Sequence, residues 1–226
     1  MNNHYYQENQ DNLKSEPEII YYSFKEKKYQ FHTDSGVFSK QFIDYGSRSL
    51  IETFEPNTLD GDVLDMGAGY GPIGIVISKT YSKCFHMCEI NSRAFELLQK
   101  NIKVNSVNAI AYHSDLYAAL PDDLLFASIV TNPPIRAGKD IVFKIYSGAY
   151  NHLMPGGELW VVIQKKQGAP SSKKYIEDIF GNCEIVNRDK GYYILKAIKW
   201  NCLLYYNIYG KIKLVISDEV IKWKQF

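Results

Sequence analysis

A single stretch sets the strongest constraint on how this chain can fold. Val63-Leu64-Asp65-Met66 is a short apolar strand that runs into the turn Gly67-Ala68-Gly69-Tyr70-Gly71 and then, at Pro72, into a helix. Glycine at the carboxyl end of a strand turns sharply and lets backbone approach a ligand closely. Proline suits the first turn of a helix, where its missing N–H would have no partner. A strand that feeds a helix in this way needs parallel neighbours for the helix to pack on.

The flanking sequence provides them. Strands are predicted over Val63 to Met66, Cys84 to Glu89, Ala109 to His113, Phe126 to Thr131 and Glu158 to Ile163, alternating with helices from Pro72 and over Arg93 to Val104, Lys139 to Leu153 and Lys173 to Phe180. This alternation predicts an α/β fold, a doubly wound, mostly parallel sheet covered on both faces. Glu184 to Val186 and Tyr192 to Ile198 are joined only by Asn187-Arg188-Asp189-Lys190-Gly191. That connection is too short for a parallel crossover, so the seven-stranded sheet ends in an antiparallel hairpin. Upstream, Ile19 to Phe24 and Tyr29 to Thr33 flank the charged turn Lys25-Glu26-Lys27-Lys28 and predict a small β-hairpin.

The chain has 226 residues, 46% of them apolar, enough for one ordinary core, and no apolar run approaches the eighteen or so residues needed to span a bilayer. Met1 to Asn12 is polar, without a signal-peptide apolar region. Four cysteines make no disulfide framework at this length, so a reducing cytoplasmic location away from membranes is expected. The net charge of +1 conceals an asymmetry: residues 1 to 135 hold 11 basic and 17 acidic side chains, residues 136 to 199 hold 11 basic and 6 acidic. The second segment can present a positive face to a polyanion or simply carry solvated lysines.

In the dinucleotide fingerprint the third glycine would fall at position 72, which is proline here, and this argues against a nicotinamide cofactor. Glu89, 22 residues after Gly67, ends the next strand, where a carboxylate can accept from both hydroxyls of a ribose. Ser114-Asp115-Leu116 closes the third strand. Asp115 can accept from an adenine amine with Leu116 against the ring, or act only as a turn or cap residue.

The second motif is Thr131-Asn132-Pro133-Pro134, at the end of the fourth strand. Each proline holds the residue before it extended and donates nothing, so the segment is stiff and rich in acceptors. Asn132 Oδ1 and the Pro133 carbonyl can together accept both hydrogens of a planar NH₂ group and aim its nitrogen at an electrophile over the glycine loop.

Asp65-x-Gly67-x-Gly69 with Glu89, Asp115 and Asn132-Pro133-Pro134 resembles the class I S-adenosylmethionine-dependent methyltransferases of exocyclic amino groups, with their Rossmann-like fold. Thr33-Asp34-Ser35-Gly36-Val37-Phe38-Ser39, Asp44-Tyr45-Gly46-Ser47 and Asn132-Pro133-Pro134-Ile135-Arg136-Ala137-Gly138-Lys139 are similar to a closer group. These are the bacterial small-subunit (16S) ribosomal RNA guanine-N2 methyltransferases, here in a short single-domain form. Leu159 to Gly168 and Arg188 to Tyr193 extend the likeness, which covers about His4 to Lys199.

The resemblance implies S-adenosylmethionine as cofactor and ribosomal RNA or the small subunit as partner. Asp65, Gly67 and Gly69 would border the methionine part, Glu89 would hold the ribose, and Asp115 with Leu116 the adenine. Asn132 and Pro133 would hold the target amine, with Phe38 and Ser39 closing over it. Adenine and glutamine methyltransferases carry an aromatic residue after the two prolines, whereas Ile135 stands here, which favours guanine and leaves the base to stack on Phe38 or Tyr70 or to be held mainly by edge contacts. The alternatives are an adenine or glutamine amino-methyltransferase, or a non-catalytic RNA-binding assembly factor.

Arg136, Lys139, Lys165 and Lys166, with Lys173 and Lys174, cluster near the expected mouth, as RNA contacts beside Pro134 and Ile135 or as surface charge. Cys84, His86 and Cys88 alternate along a strand buried on both faces and are read as packing, with no metal expected. The methyltransferase domain is placed at residues 1–199. Residues 200–226 form an apolar extension, read as a hairpin, an edge cover or a dimer contact.

Overall fold

The computed structural model describes residues 14–200 together with the backbone of two short strands in the tail. Its main sheet contains β3 (Val63–Met66), β4 (Phe85–Glu89), β5 (Ala109–His113), β6 (Phe126–Thr131), β7 (Leu153–Gln164), β8 (Glu184–Asp189) and β9 (Tyr192–Ile198), in the order β5-β4-β3-β6-β7-β9-β8. β5, β4, β3, β6 and β7 are parallel, and β9 runs antiparallel to both β7 and β8. The expected seven-stranded, doubly wound sheet with a terminal hairpin is therefore present. A separate hairpin pairs β1 (Glu18–Phe24) with β2 (Lys27–Thr33).

Strand alternation builds a core on each face of the sheet. Val63, Val130 and Val162 join one cluster with Ile75, Leu98 and the β2 side chains Tyr29 and Phe31. Leu64, Ile129 and Val161 point the other way, against Val142, Ile145 and Ile176. The first face carries α1 (Tyr45–Thr53), α2 (Pro72–Tyr81) and α3 (Ser92–Asn105); the second carries α4 (Lys139–His152) and α5 (Ala169–Phe180).

Several boundaries differ from expectation. The charged turn narrows to Lys25-Glu26, both at positive φ (45° and 63°), so Lys27 and Lys28 belong to β2. The link between β8 and β9 is likewise only Lys190-Gly191. β7 begins five residues early at Leu153, and α5 at Ala169 with a proline in its first turn. α1 is an element outside the expected set: its apolar residues Leu50 and Ile51 follow a first turn without the apolar spacing of a helix.

The β1–β2 hairpin is fixed by asparagines. Asn105 Oδ1 accepts from Gln30 N at 3.1 Å and its amide donates to Gln30 O at 2.8 Å; Asn101 repeats the pattern on His32 at 2.7 and 3.0 Å. Both side chains are buried, so they supply the strand-like partners that the outer edge of β2 would otherwise lack. In the tail, Val215–Ile216 pairs antiparallel with Glu219–Val220; the other expectations for residues 200–226 lie outside the described residues. No helix among the described residues is long and apolar enough to cross a membrane.

Candidate active site

The sheet order reverses between β3 and β6, so the helices that follow them leave on opposite faces and open a crevice at their carboxyl ends. A cavity of about 280 Å³ occupies this crevice. Residues just beyond five strands line it: Gly67 after β3, Glu89 ending β4, Ser114 after β5, Asn132 after β6 and Gln167 after β7.

Gly67 and Gly69 adopt φ of +75° and +59°, which L side chains rarely adopt, and a Cβ built on either would meet no atom within 4 Å. The loop thus leaves an open cradle beside its own backbone. Glu89 braces it: Oε2 accepts from Gly69 N at 2.7 Å and Oε1 from Asn91 N at 2.8 Å. Burial pushes the Glu89 carboxyl above the usual carboxylate range, although three backbone N–H groups oppose the shift.

Asp65 stands behind the loop and is absent from the cavity lining. Its Oδ2 accepts from Gly74 N at 2.9 Å, which ties β3 to the first turn of α2, while Oδ1 is buried without a partner. Burial raises this carboxyl to about 7. It supports the turn from outside the cavity lining.

Beyond the neighbouring strand β6, Asn132 Nδ2 donates to Ser47 Oγ at 3.0 Å and lies 3.4 and 3.5 Å from the Asp44 carboxylate oxygens. Pro133, Pro134, Ile135 and Arg136 continue the lining. The Pro133 carbonyl accepts from Ile135 N at 2.9 Å and keeps a second lone pair.

Of the expected site residues, Gly67, Gly69, Glu89, Leu116, Asn132, Pro133, Pro134, Ile135, Arg136 and Phe38 line the cavity together. Others do not. Asp115 is exposed between the lining residues Ser114 and Leu116. Ser39 sits at φ 55° with its carbonyl accepting from Tyr70 at 3.3 Å and its hydroxyl bonded to the Phe42 carbonyl, so it shapes the loop without reaching the cavity. Lys139, Lys165 and Lys166 are exposed outside the lining, Lys139 with its ammonium 4.9 Å from the Phe143 ring centre.

Tyr70 also lines the cavity but is buried, its ring at 70° to that of Phe31. Phe38, half exposed at the rim, is thus the more available of the two stacking candidates. The lining also includes Asp44, Ser47, Gln167 and Tyr192, to which no role was assigned from sequence. The signal available for the first pair was the Asp44-x-x-Ser47 spacing, a helix-capping pattern.

Cys88 lines the cavity, whereas Cys84 and His86 lie toward the amino ends of the strands, with ligand atoms of Asp62, Cys84 and His86 within 4.8 Å of one another. Both His86 nitrogens are engaged, with Tyr112 at 2.9 Å and Asp62 at 3.0 Å.

Against known families, the methyltransferase small domain model matches residues 28–196. The chain belongs to the methyltransferase small domain family. Within that family it is 45% identical over 201 residues to the uncharacterized protein YbxB of Bacillus subtilis, covering 88% of this chain and all of that one. It is 36% identical over 172 residues to ribosomal RNA small subunit methyltransferase C of Vibrio parahaemolyticus, covering 73% of this chain and 48% of the relative. The chain therefore spans about half the length of that enzyme.

Among solved structures, the 16S rRNA N2 G1207 methyltransferase of T. thermophilus, in complex with AdoMet and guanosine, superimposes with a TM-score of 0.73 at 28% identity. That match covers 81% of this chain and 50% of the other. The class I methyltransferase fold and the expected S-adenosylmethionine cofactor accord with this family small domain and its five-stranded parallel core.

Proposed function

We propose that this small-domain protein transfers a methyl group from S-adenosylmethionine to the exocyclic N2 amine of a guanine in small-subunit ribosomal RNA, in the cytoplasm. The observation that carries the reading is the Asn132 side chain, tethered through its amide nitrogen in the lining of the same cavity as the open glycine loop, at the end of the neighbouring strand.

The residues present fit the cofactor. The Gly67 and Gly69 cradle accepts a group that a side chain would displace, and Glu89, buried and aimed from the end of β4, offers carboxylate oxygens to ribose hydroxyls. Ser114 and Leu116, flanking Asp115, border the position for an adenine ring. When bound, the cofactor supplies a sulfonium methyl, which passes to the amine nitrogen as the carbon–sulfur bond breaks and the amine proton leaves to water.

Guanine N2 is a weak nucleophile because its lone pair is delocalised into the ring. Asn132 Oδ1 and the free lone pair of the Pro133 carbonyl accept its two N–H groups, turn the nitrogen toward the methyl and favour the pyramidal geometry of the transition state. Ile135, where adenine methyltransferases place an aromatic ring, favours guanine, with Phe38 left to cover the base. Arg136 at the rim, with Lys139, Lys165 and Lys166 beyond it, receives RNA phosphates.

The deciding experiment is incubation of rRNA and of isolated small subunits with labelled S-adenosylmethionine, followed by nucleoside identification. N2-methylguanosine is expected. N6-methyladenosine would support the adenine reading, and binding without product an assembly factor.

A further inference from the structure

The amide of Asn132 is useful for this reaction in one orientation only. With Oδ1 toward the substrate it accepts from the amine; turned by 180° it presents Nδ2, and two donors then face each other. The backbone of Asn132 cannot make this choice, because the two ends of an amide are nearly equal in size and shape. Something beside it must.

Two groups meet the nitrogen end. Ser47 Oγ, at 3.0 Å, makes the shorter contact, but a hydroxyl donates or accepts and tolerates either orientation. Asp44 differs. An ionised carboxylate only accepts, and both of its oxygens lie within 3.5 Å of Nδ2. Turning the amide over would set Oδ1 against that carboxylate, acceptor against acceptor, inside a partly closed cavity where such repulsion is weakly screened.

Asp44 is itself rigidly held. It is the N-cap of α1, its Oδ1 accepting from Ser47 N at 3.1 Å, and the next turn seats Gly46 so close to Tyr192 that a Cβ there would lie 2.9 Å from the ring. Among the described residues, Asn132 Oδ1 has no hydrogen-bond partner and is left to the cavity.

We infer that Asp44 is a positioning residue, the helix cap whose carboxylate fixes the Asn132 amide with its oxygen toward the substrate amine. The inference rests on the role proposed above for Asn132. It assigns to α1, a helix remote in sequence from the Asn-Pro-Pro motif, the task of setting that motif's polarity.

The test compares Asp44→Asn, Ser47→Ala and Asn132→Ala by steady-state methylation of small-subunit RNA, cofactor titration and thermal unfolding. Asparagine caps a helix about as well as aspartate, so Asp44→Asn keeps α1, but its own amide can donate toward position 132 and release the constraint. Its kcat should fall about 10- to 100-fold, with KM for RNA, cofactor affinity and unfolding temperature close to the parent values. Ser47→Ala leaves the carboxylate in place and should lose less, about 2- to 5-fold. If Asp44→Asn fails to fold, Asp44→Ser replaces it: it caps equally well, its hydroxyl tolerates both orientations, and the same selective loss in kcat is expected.

Parent-like kcat in the folded Asp44 variant, with Asn132→Ala impaired, would overturn the positioning role alone. Parent-like kcat in Asn132→Ala would overturn the Asn132 reading and this inference with it.

Discussion

The side-chain amide of Asn101, on α3, donates to the backbone carbonyl of Tyr70 at 2.9 Å while also bonding His32 O, so one buried residue joins the glycine loop to the N-terminal hairpin. Replacing it by leucine strands the His32 amide and two carbonyls. At about 1–3 kcal/mol for a buried polar group left unpaired, with partial relaxation, Asn101→Leu should lower stability by roughly 3 kcal/mol. Urea unfolding measures this; a change under 0.5 kcal/mol would show that the hairpin is not anchored there.

Glu89 serves the loop and the proposed ribose site at once. Glu89→Gln keeps one acceptor and the shape, but turns an amide nitrogen toward either Gly69 N or Asn91 N and removes the charge. Cofactor affinity, followed by calorimetric titration, should weaken by about 1–3 kcal/mol, the scale of a lost charge-assisted bond. NAD should show no saturable binding to the parent protein; tight NAD binding without a response to S-adenosylhomocysteine contradicts the assignment.

Asp65 gives stability a pH dependence whose sign follows from its burial. The carboxyl titrates at about 7 in the fold and near 3.8 when exposed, so between these values the native state binds more protons than the unfolded chain. Its contribution is greatest below the lower value and declines as pH rises through the window. Asp65→Asn removes that decline, so the stability difference between variant and parent should shift in favour of the variant from pH 4 to pH 7. A constant difference in urea midpoint across this range would show that Asp65 is ionised throughout.

For the chemistry, Asn132→Ala removes one acceptor and should slow methylation about 10²–10³-fold, as when one preorganised polar contact is lost, with cofactor affinity little changed. Asn132→Asp keeps an oxygen but places a second carboxylate beside Asp44, and its rate should stay low. Single-turnover assays with identified product distinguish these outcomes from a defect in binding.

Binding of RNA should weaken steeply with salt, because lysine–phosphate contacts release counterions, whereas cofactor binding should change far less. Reversal of exposed Lys165 and Lys166 to glutamate should reduce RNA affinity and flatten the salt slope without altering cofactor binding. Filter binding at several salt concentrations measures both, and a salt-independent affinity would remove the basic rim from the interface.

What was legible in the sequence is what nearest neighbours dictate. The glycine turn at Gly67 to Gly71, the alternation of buried strands and amphipathic helices, and the short link before Tyr192 each carry their geometry in a few consecutive residues, so strand count, sheet type and the antiparallel end followed from them. Glu89 and Asn132 were recognisable because one ends a strand and the other directly follows one. The contacts that decide how those side chains act are not local: Asn132 meets Ser47 and Asp44, 85 and 88 residues away, and Asn101 meets Tyr70, 31 residues away. Position along the chain likewise did not separate Asp65, turned behind the loop to Gly74, from the residues that face the cavity, because the pleat and the crossing of helices choose the face only once the sheet has assembled.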